Sequence, residues 1–326
     1  VTEAIATTAV NQAMATYKGT TPERIMCHSL NAINCLALGD RDAARIELRL
    51  AQDWQDDAKN RYAAEIEAAQ QAAKEQAEKD GVGDAVSDDI PDHMSEHYAN
   101  LDDLQGYEDF QNPFASHLRG VYLMACGVDA ADRDGARFEL RQVAATNPDS
   151  RPALKEDLVI LNNPQLWAQP PTTWVYFMTG RAPHLEELRL DIPIPIGNVN
   201  YVSAAFPQLE LNDDHVQHLT VATSDVQGVR ATPLCDMDGV VGSEFSVRLP
   251  TIVAQEIGSS AGKAAATWAA GEAAGSYGQI AGMIYQAAST SADLRSWRTL
   301  PKQIHVCRVP TPEDARIHIT ADGSRE

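Results

Sequence analysis

A ten-residue segment occurs twice in this chain. Residues 40–49 are DRDAARIELR and residues 132–141 are DRDGARFELR, so eight of ten positions are identical. Each copy follows an apolar stretch, residues 30–38 in the first case and residues 118–126 in the second. Because an acidic turn separates two segments of helix-forming residues each time, the sequence predicts two helical hairpins with equivalent second helices.

Ala44 and Ala136 occupy the same repeat position, and a small residue there lets paired helices approach closely. A helix, a short turn and a second helix with small residues at the crossing form a unit of the tetratricopeptide type. The copies are 92 residues apart, whereas such units repeat about every 34 residues. We therefore expect residues 1–165 to form a tetratricopeptide-like helical domain with an acidic insertion at about residues 80–104.

The second half of the chain differs from the first in its residue composition and pattern. Prolines, β-branched residues and short alternating runs dominate after residue 170, and they predict a β-rich domain over residues 166–326. Strands are expected at residues 174–177, 188–192, 201–206, 219–222, 304–309 and 316–319. One Ala/Gly-rich helix is expected at about residues 252–290. The predicted fold class is therefore α+β.

Composition excludes some functions. The chain has 46 acidic and 26 basic side chains and a net charge of −20, so it repels a phosphate backbone, and we expect no nucleic-acid partner. Its five cysteines are scattered without a CxxC pair, which excludes zinc-knuckle and dithiol redox motifs. No cofactor is expected.

One serine motif permits an enzymatic interpretation. GSSAG at residues 258–262 fits the G-x-S-x-G elbow of serine hydrolases, and Asp293 and His305 follow Ser260 in the matching order. The required parallel α/β context is absent from the predicted elements, and Ala/Gly/Ser-rich segments match this pattern by chance. A serine hydrolase built on these residues is kept as an alternative.

A second enzymatic interpretation involves a metal. His93, Glu96 and His97 match H-x-x-E-H, in which two imidazoles hold zinc and the glutamate acts as base. The motif lies in the acidic insertion, where a polar surface helix is the simpler interpretation. A metallohydrolase at these residues is the other alternative.

Charged residues of the repeat are candidates for protein binding. Arg45 and Arg49 in the first copy, with Arg137 and Arg141 in the second, are placed to line a groove for a peptide. The competing interpretation is that these charges form salt bridges on outer helix faces.

Glycines in the Ala/Gly-rich helix form a second candidate surface. Gly271, Gly275, Gly278 and Gly282 fall on one helix face at 100° per residue. Each glycine inside a helix costs about 1 kcal/mol relative to alanine, so a close backbone contact is expected in compensation. That contact is either within the domain or with another copy of the chain.

Three further segments carry a resemblance to a known family. They are residues 109–120 (DFQNPFASHLRG), residues 177–193 (FMTGRAPHLEELRLDIP) and residues 293–301 (DLRSWRTLP). Together they resemble an uncharacterised family of bacterial envelope lipoproteins, over about residues 20–320. The resemblance implies a tetratricopeptide-type half joined to a β-rich half, and a periplasmic or outer-membrane location. It also implies a lipid anchor, which is expected upstream of Val1 because Cys27 lies in a predicted helix.

These interpretations combine into one predicted function. We expect a non-enzymatic envelope scaffold or adaptor that binds other envelope proteins and self-associates through the glycine-bearing helix. The two hydrolase interpretations are the alternatives.

Overall fold

The computed structural model describes residues 16–79, 96–101, 104, 106–107, 110–163, 171–192, 202–257, 259–260 and 291–322. Within these residues the first half is helical and the second half is built mainly from antiparallel strands. The predicted mixed α+β class is confirmed.

Within the described residues, the first half contains six α-helices and two short 3₁₀ helices. The α-helices are α1 (Thr21–Ala37), α2 (Arg41–Asp56), α3 (Ala58–Lys79), α4 (Pro113–Cys126), α5 (Ala130–Thr146) and α6 (Arg151–Asn162). The 3₁₀ helices are Glu96–Leu101 and Pro148–Ser150.

The second half contains eight strands within the described residues, in three antiparallel sheets ordered β1-β7-β6, β2-β3 and β5-β4-β8. The strands are β1 (Thr172–Thr179), β2 (His184–Ile192), β3 (Val202–Glu210), β4 (His218–Ala222), β5 (Val229–Arg230), β6 (Thr232–Asp236), β7 (Gln303–Pro310) and β8 (His318–Asp322). Five of the six predicted strands coincide with β1 to β4 and β7. The last prediction lies about two residues early, and β5 and β6 were not predicted.

Local sequence accounts for the first hairpin. Thr20 and Glu23 form a reciprocal capping box at the start of α1, and Pro22 lies in the first turn. Gly39 has a φ of +79° in the turn after α1, a conformation that glycine adopts without strain. The Asp40 side chain then accepts a hydrogen bond from the Ala43 backbone N–H and caps α2.

The second hairpin differs from the first at its turn. Asp129, not Asp132, caps α5 by accepting from the Asp132 backbone N–H at 2.9 Å. Asp132, the repeat partner of Asp40, therefore lies one turn inside its helix. Both repeat copies lie in the second helix of a hairpin, as predicted, but α5 begins earlier relative to the repeat because Asp129 supplies its cap.

The second helix of each hairpin buries the same face. Its members are Ala44, Leu48 and Ala51 in α2, and Ala136, Leu140 and Val143 in α5. In the second hairpin, a Cβ at Gly120 of α4 would clash with the Leu140 side chain, so the glycine permits the close approach of α4 and α5. The predicted burial of Ala44 and Ala136 is confirmed.

Strand β7 is buried on both faces. Ile304 and Val306 pack into the same core as the helical hairpins, while Cys307 and Val309 pack against β4 and its neighbours. Since alternate residues of a strand point to opposite faces, the sheet β1-β7-β6 lies between the helices and the sheet β5-β4-β8. The layers stack in the order helices, sheet, sheet.

A helix at residues 237–257 packs on the β2-β3 hairpin and on the 3₁₀ helix Glu96–Leu101. The predicted start at about residue 252 was wrong, since the helix begins at 237, where the Asp238 N–H donates to the Asp236 Oδ1. Gly242 lies inside this helix, and a Cβ there would clash with Leu104. The rest of the predicted helix, residues 261–290, lies outside the described residues, as does most of the acidic insertion.

The two predicted domains share one hydrophobic core. The cluster that contains Ala44 and Leu140 also contains Leu234, Ile304 and Val306 of the β-rich half. The predicted boundary at residue 165 lies in residues 164–170, outside the described part. Within the described residues, the helical and β-rich halves are packed as a continuous unit.

A buried polar junction also ties the halves together. Asp157 of α6 is fully buried and accepts hydrogen bonds from Trp174 Nε1 (2.9 Å) and Arg308 Nε (2.6 Å). Burial raises the pKa of Asp157, although both donors favour its charged form. Arg308 also pairs with Glu156, whose side chain is 71% exposed.

We expect Ala44→Leu and Ala136→Leu each to destabilise the fold by about 1–3 kcal/mol, because extra methylenes do not fit a close-packed helix crossing. Urea unfolding of the purified chain measures this. Ala145→Leu, at an exposed position of α5, is the matched control and should change stability little. Unchanged stability in both buried variants would contradict the repeat assignment.

We expect Asp157→Asn to lower the free energy of unfolding by about 3 kcal/mol, because the Arg308 guanidinium loses its buried counter-charge. Glu156→Gln removes the exposed partner of the same arginine and should cost less than about 1 kcal/mol. Equal effects of the two substitutions in urea unfolding would show that the buried carboxylate is not the essential partner.

Candidate functional site

The four predicted binding arginines lie on α2 and α5. Arg45 pairs with Asp132 and so joins the two hairpins, and this pairing holds the pKa of Asp132 below its usual range. Arg137 pairs with Asp134 at 3.0 Å, one turn earlier on its own helix. The salt-bridge interpretation therefore describes two of the four arginines.

The other two arginines have different surroundings. Arg141 donates to the Asn162 side-chain oxygen at 2.9 Å, which links α5 to the end of α6. Arg49 is exposed on α2. Both side chains are exposed, so their guanidinium groups remain accessible to a partner.

An open groove runs along the outer face of α5. The groove is shallow and open, with a volume of about 490 Å³, and its lining residues all belong to α5: Asp134, Arg137, Phe138, Arg141 and Gln142. We call this the α5 groove. It brings together two of the predicted binding residues, Arg137 and Arg141, around an aromatic side chain that the sequence reasoning did not select.

Phe138 is the central feature of the α5 groove. Its side chain is 62% exposed, and Ile46, at the same repeat position on α2, is 60% exposed. A large apolar residue on the outer face of both repeat copies is not explained by core packing. The repeat alignment itself contained this signal, because the position is apolar in both copies while its neighbours are charged.

The glutamates of the repeat face inward. Glu47 contacts His28 Nδ1 at 2.7 Å, and Glu139 pairs with Arg119, so each binds a basic residue of its own hairpin's first helix. Glu139 is almost fully buried, and this burial raises its pKa against the opposing effect of Arg119. Glu139 therefore lies in the core and not on an outer helix face.

Asp293 and His305 of the predicted serine triad have other partners in the described structure. Ser260 is in helical conformation and only 1% exposed. Asp293 accepts from Arg295 Nε at 2.8 Å, and His305 Nε2 lies 3.3 Å from Gln303 Oε1. In the described part of the chain, these contacts do not join Ser260, Asp293 and His305 into a catalytic relay.

The predicted metal motif is described only in part. Glu96 and His97 lie in the 3₁₀ helix, where the His97 carbonyl accepts from Gln208, and His93 is outside the described residues. Among the described residues, no group of three His, Cys, Asp or Glu side chains is arranged to hold a metal ion.

The predicted glycine surface cannot be compared with the structure, since Gly271, Gly275, Gly278 and Gly282 lie outside the described residues. In the part of the chain that is described, no helix combines the length and apolarity needed to cross a bilayer.

A second cavity, of about 300 Å³, opens between the sheets β1-β7-β6 and β5-β4-β8. Its lining residues are His215, Gln217, His218, Arg230, Ala231, Pro233, Gln303 and His305. We call this the histidine pocket. The sequence reasoning identified only His305 of this set, and in a different role, because the members come from chain segments far apart in sequence.

Comparison of the chain with protein-family models, curated proteins and solved structures finds no match.

We expect no labelling of Ser260 by a fluorophosphonate probe, because Ser260 is buried and contacts no imidazole among the described residues, which makes it a weak nucleophile. Mass spectrometry of the labelled native chain, with Ser260→Ala as the matched control, measures this. Labelling of the wild-type chain that disappears in Ser260→Ala would restore the serine hydrolase alternative.

Proposed function

We propose that this chain is a non-enzymatic adaptor that binds an acidic, partly apolar segment of a partner protein along the outer faces of α2 and α5. The observation that carries the proposal is the exposed Phe138 between Arg137 and Arg141 in the α5 groove. Aromatic and arginine side chains are the residues most enriched at the centres of protein interfaces.

Charge supports an acidic partner segment. The chain as a whole carries −20, yet its repeat places Arg45, Arg49, Arg137 and Arg141 on α2 and α5. Charged groups beyond about 8 Å are screened at physiological salt, so nearby charges matter most. Arg45 and Arg137 are paired with Asp132 and Asp134, whereas Arg141 contacts the neutral Asn162 side chain and keeps its charge for a partner. A peptide with aspartates or glutamates around one large apolar residue complements it.

The repeat supports an extended binding surface. Ile46 and Phe138 mark the same position in the two hairpins, so a partner segment that contacts both meets two similar sites. We propose that the hairpins are a pair of tetratricopeptide-like units, in which stacked helices present such repeated surfaces.

The cellular setting of the proposal rests on the resemblance alone. An envelope lipoprotein family implies partners in the periplasm or at the outer membrane, and we propose that setting here. Self-association through residues 271–282 is a separate proposal that depends on the glycine face.

The adaptor proposal predicts a defined peptide specificity. We expect a synthetic peptide with a phenylalanine flanked by glutamates to bind the full chain, and its lysine-flanked counterpart to bind at least about tenfold more weakly. Phe138→Ala and Arg141→Glu should each lower the affinity for the acidic peptide by a similar factor, as measured by fluorescence anisotropy.

Two controls make this test specific. Arg316→Glu reverses an exposed arginine near β8 and should leave peptide binding unchanged. A photoreactive residue at position 138 should yield discrete cross-linked adducts in cells, whereas one at Val159, an exposed apolar position on α6, should not. Equal binding of the two peptides, or full binding by Phe138→Ala, would contradict the proposal.

A further inference from the structure

The histidine pocket forms where the chain crosses between two sheets. Ala231 separates β5, in one sheet, from β6, in the other, and its N–H donates to the Leu219 carbonyl at 2.8 Å. Pro233 of β6 pairs with His305 of β7, and a β-bulge follows between Pro233 and Cys235. Proline lacks an N–H and a bulge bends the strand, so the sheet edge opens beside His305.

His305 is an unusual residue for its position. It shares a face of β7 with Cys307 and Val309, which are buried in an apolar cluster, and it is itself only 3% exposed. Its Nε2 forms a hydrogen bond with the Gln303 side-chain oxygen at 3.3 Å. Its buried Nδ1 has no hydrogen-bond partner among the described residues. A buried polar atom without a partner is costly, and a ligand in the adjoining pocket would relieve that cost.

The tautomers of the imidazoles follow from their neighbours. The Gln303 oxygen is an acceptor, so His305 carries its proton on Nε2 and leaves Nδ1 as an acceptor. His215 Nδ1–H donates to the Asp213 carbonyl at 2.9 Å, which leaves Nε2 as an acceptor. The pocket therefore presents acceptor nitrogens as well as donors.

Arg230 supplies the fixed positive charge. Its Nη2 lies 2.6 Å from His218 Nδ1 and 2.9 Å from His218 Nε2, so the guanidinium lies against the His218 ring. Burial lowers the pKa of His305, and the neighbouring basic residues His215, His218 and Arg230 act in the same direction. This pocket is thus a basic region of an acidic protein.

We propose that the histidine pocket binds a phosphate group that retains a proton, either as inorganic phosphate or as a phosphate monoester. The guanidinium of Arg230 and the glutamine amides match the phosphate oxygens, and the acceptor nitrogen of His305 matches the P–OH. A carboxylate or sulfate, which is fully ionised near neutral pH, has no proton to offer this acceptor.

A metal ion is a poorer match for the same residues. Arg230 would repel a cation at the centre of the cluster, and the imidazoles do not form a three-ligand group in the described structure. The volume of about 300 Å³ also exceeds what a single ion needs.

Titration calorimetry of the full chain at one pH tests the proposal, with inorganic phosphate, glycerol phosphate, sulfate and acetate as probes. We expect phosphate to bind and sulfate and acetate to bind at least about tenfold more weakly. Tighter binding of glycerol phosphate than of inorganic phosphate would identify a monoester as the natural source, and the reverse order would identify free phosphate. Equal affinity for sulfate and phosphate would overturn the proposal.

Variants assign the binding to this pocket. Arg230→Gln should lower the affinity for phosphate by about tenfold or more, because it removes a charge-assisted hydrogen bond. Arg189→Gln, which alters a β2 arginine paired with Glu187, is the matched control and should bind as the wild-type chain does. His215→Leu, at a half-buried position that tolerates change better than His305, should reduce the preference for phosphate over sulfate. Unchanged binding by Arg230→Gln would overturn the assignment.

Discussion

The burial of β7 on both faces is the constraint on which the rest of the described structure depends. Ile304 and Val306 require an apolar partner on one side, and Cys307 and Val309 require one on the other. Helices meet the first requirement and the sheet β5-β4-β8 meets the second. Because neither layer is complete without β7, the helical and β-rich halves cannot be separated without exposing apolar surface.

Double burial also determines where polar groups are found. Arg308 lies in the same strand and could not be buried without a counter-charge, and Asp157 of α6 supplies it. His117 of α4 is likewise buried against the sheet, where it contacts the Tyr176 hydroxyl at 2.8 Å and where burial lowers its pKa to about 3. These polar contacts give the helix–sheet junction a specific register that apolar packing alone does not impose.

Sequence reasoning predicted what depends on local pattern and failed where tertiary packing decides. The repeat and its small residues predicted the hairpins and the burial of Ala44 and Ala136. The start of the helix at residue 237 was missed because Gly239 and Gly242 lower helix propensity. In the structure, a Cβ at Gly242 would clash with Leu104, so the packing requires glycine at this position. Of the residues that line the α5 groove, Arg137 and Arg141 were predicted to bind a partner, whereas Phe138 was not selected. The histidine pocket was not, because no periodicity links positions 215, 230 and 305.

The two proposed binding sites are preorganised in different ways by the same core. Phe138 lies on a helix whose opposite face, through Leu140, is fixed in the core, so an incoming peptide does not have to order that helix. In the histidine pocket, Arg230 contacts the His218 ring, and the position of His305 is fixed by strand β7. Since little conformational freedom remains to be lost at either site, a few contacts over a small area are enough to produce measurable affinity.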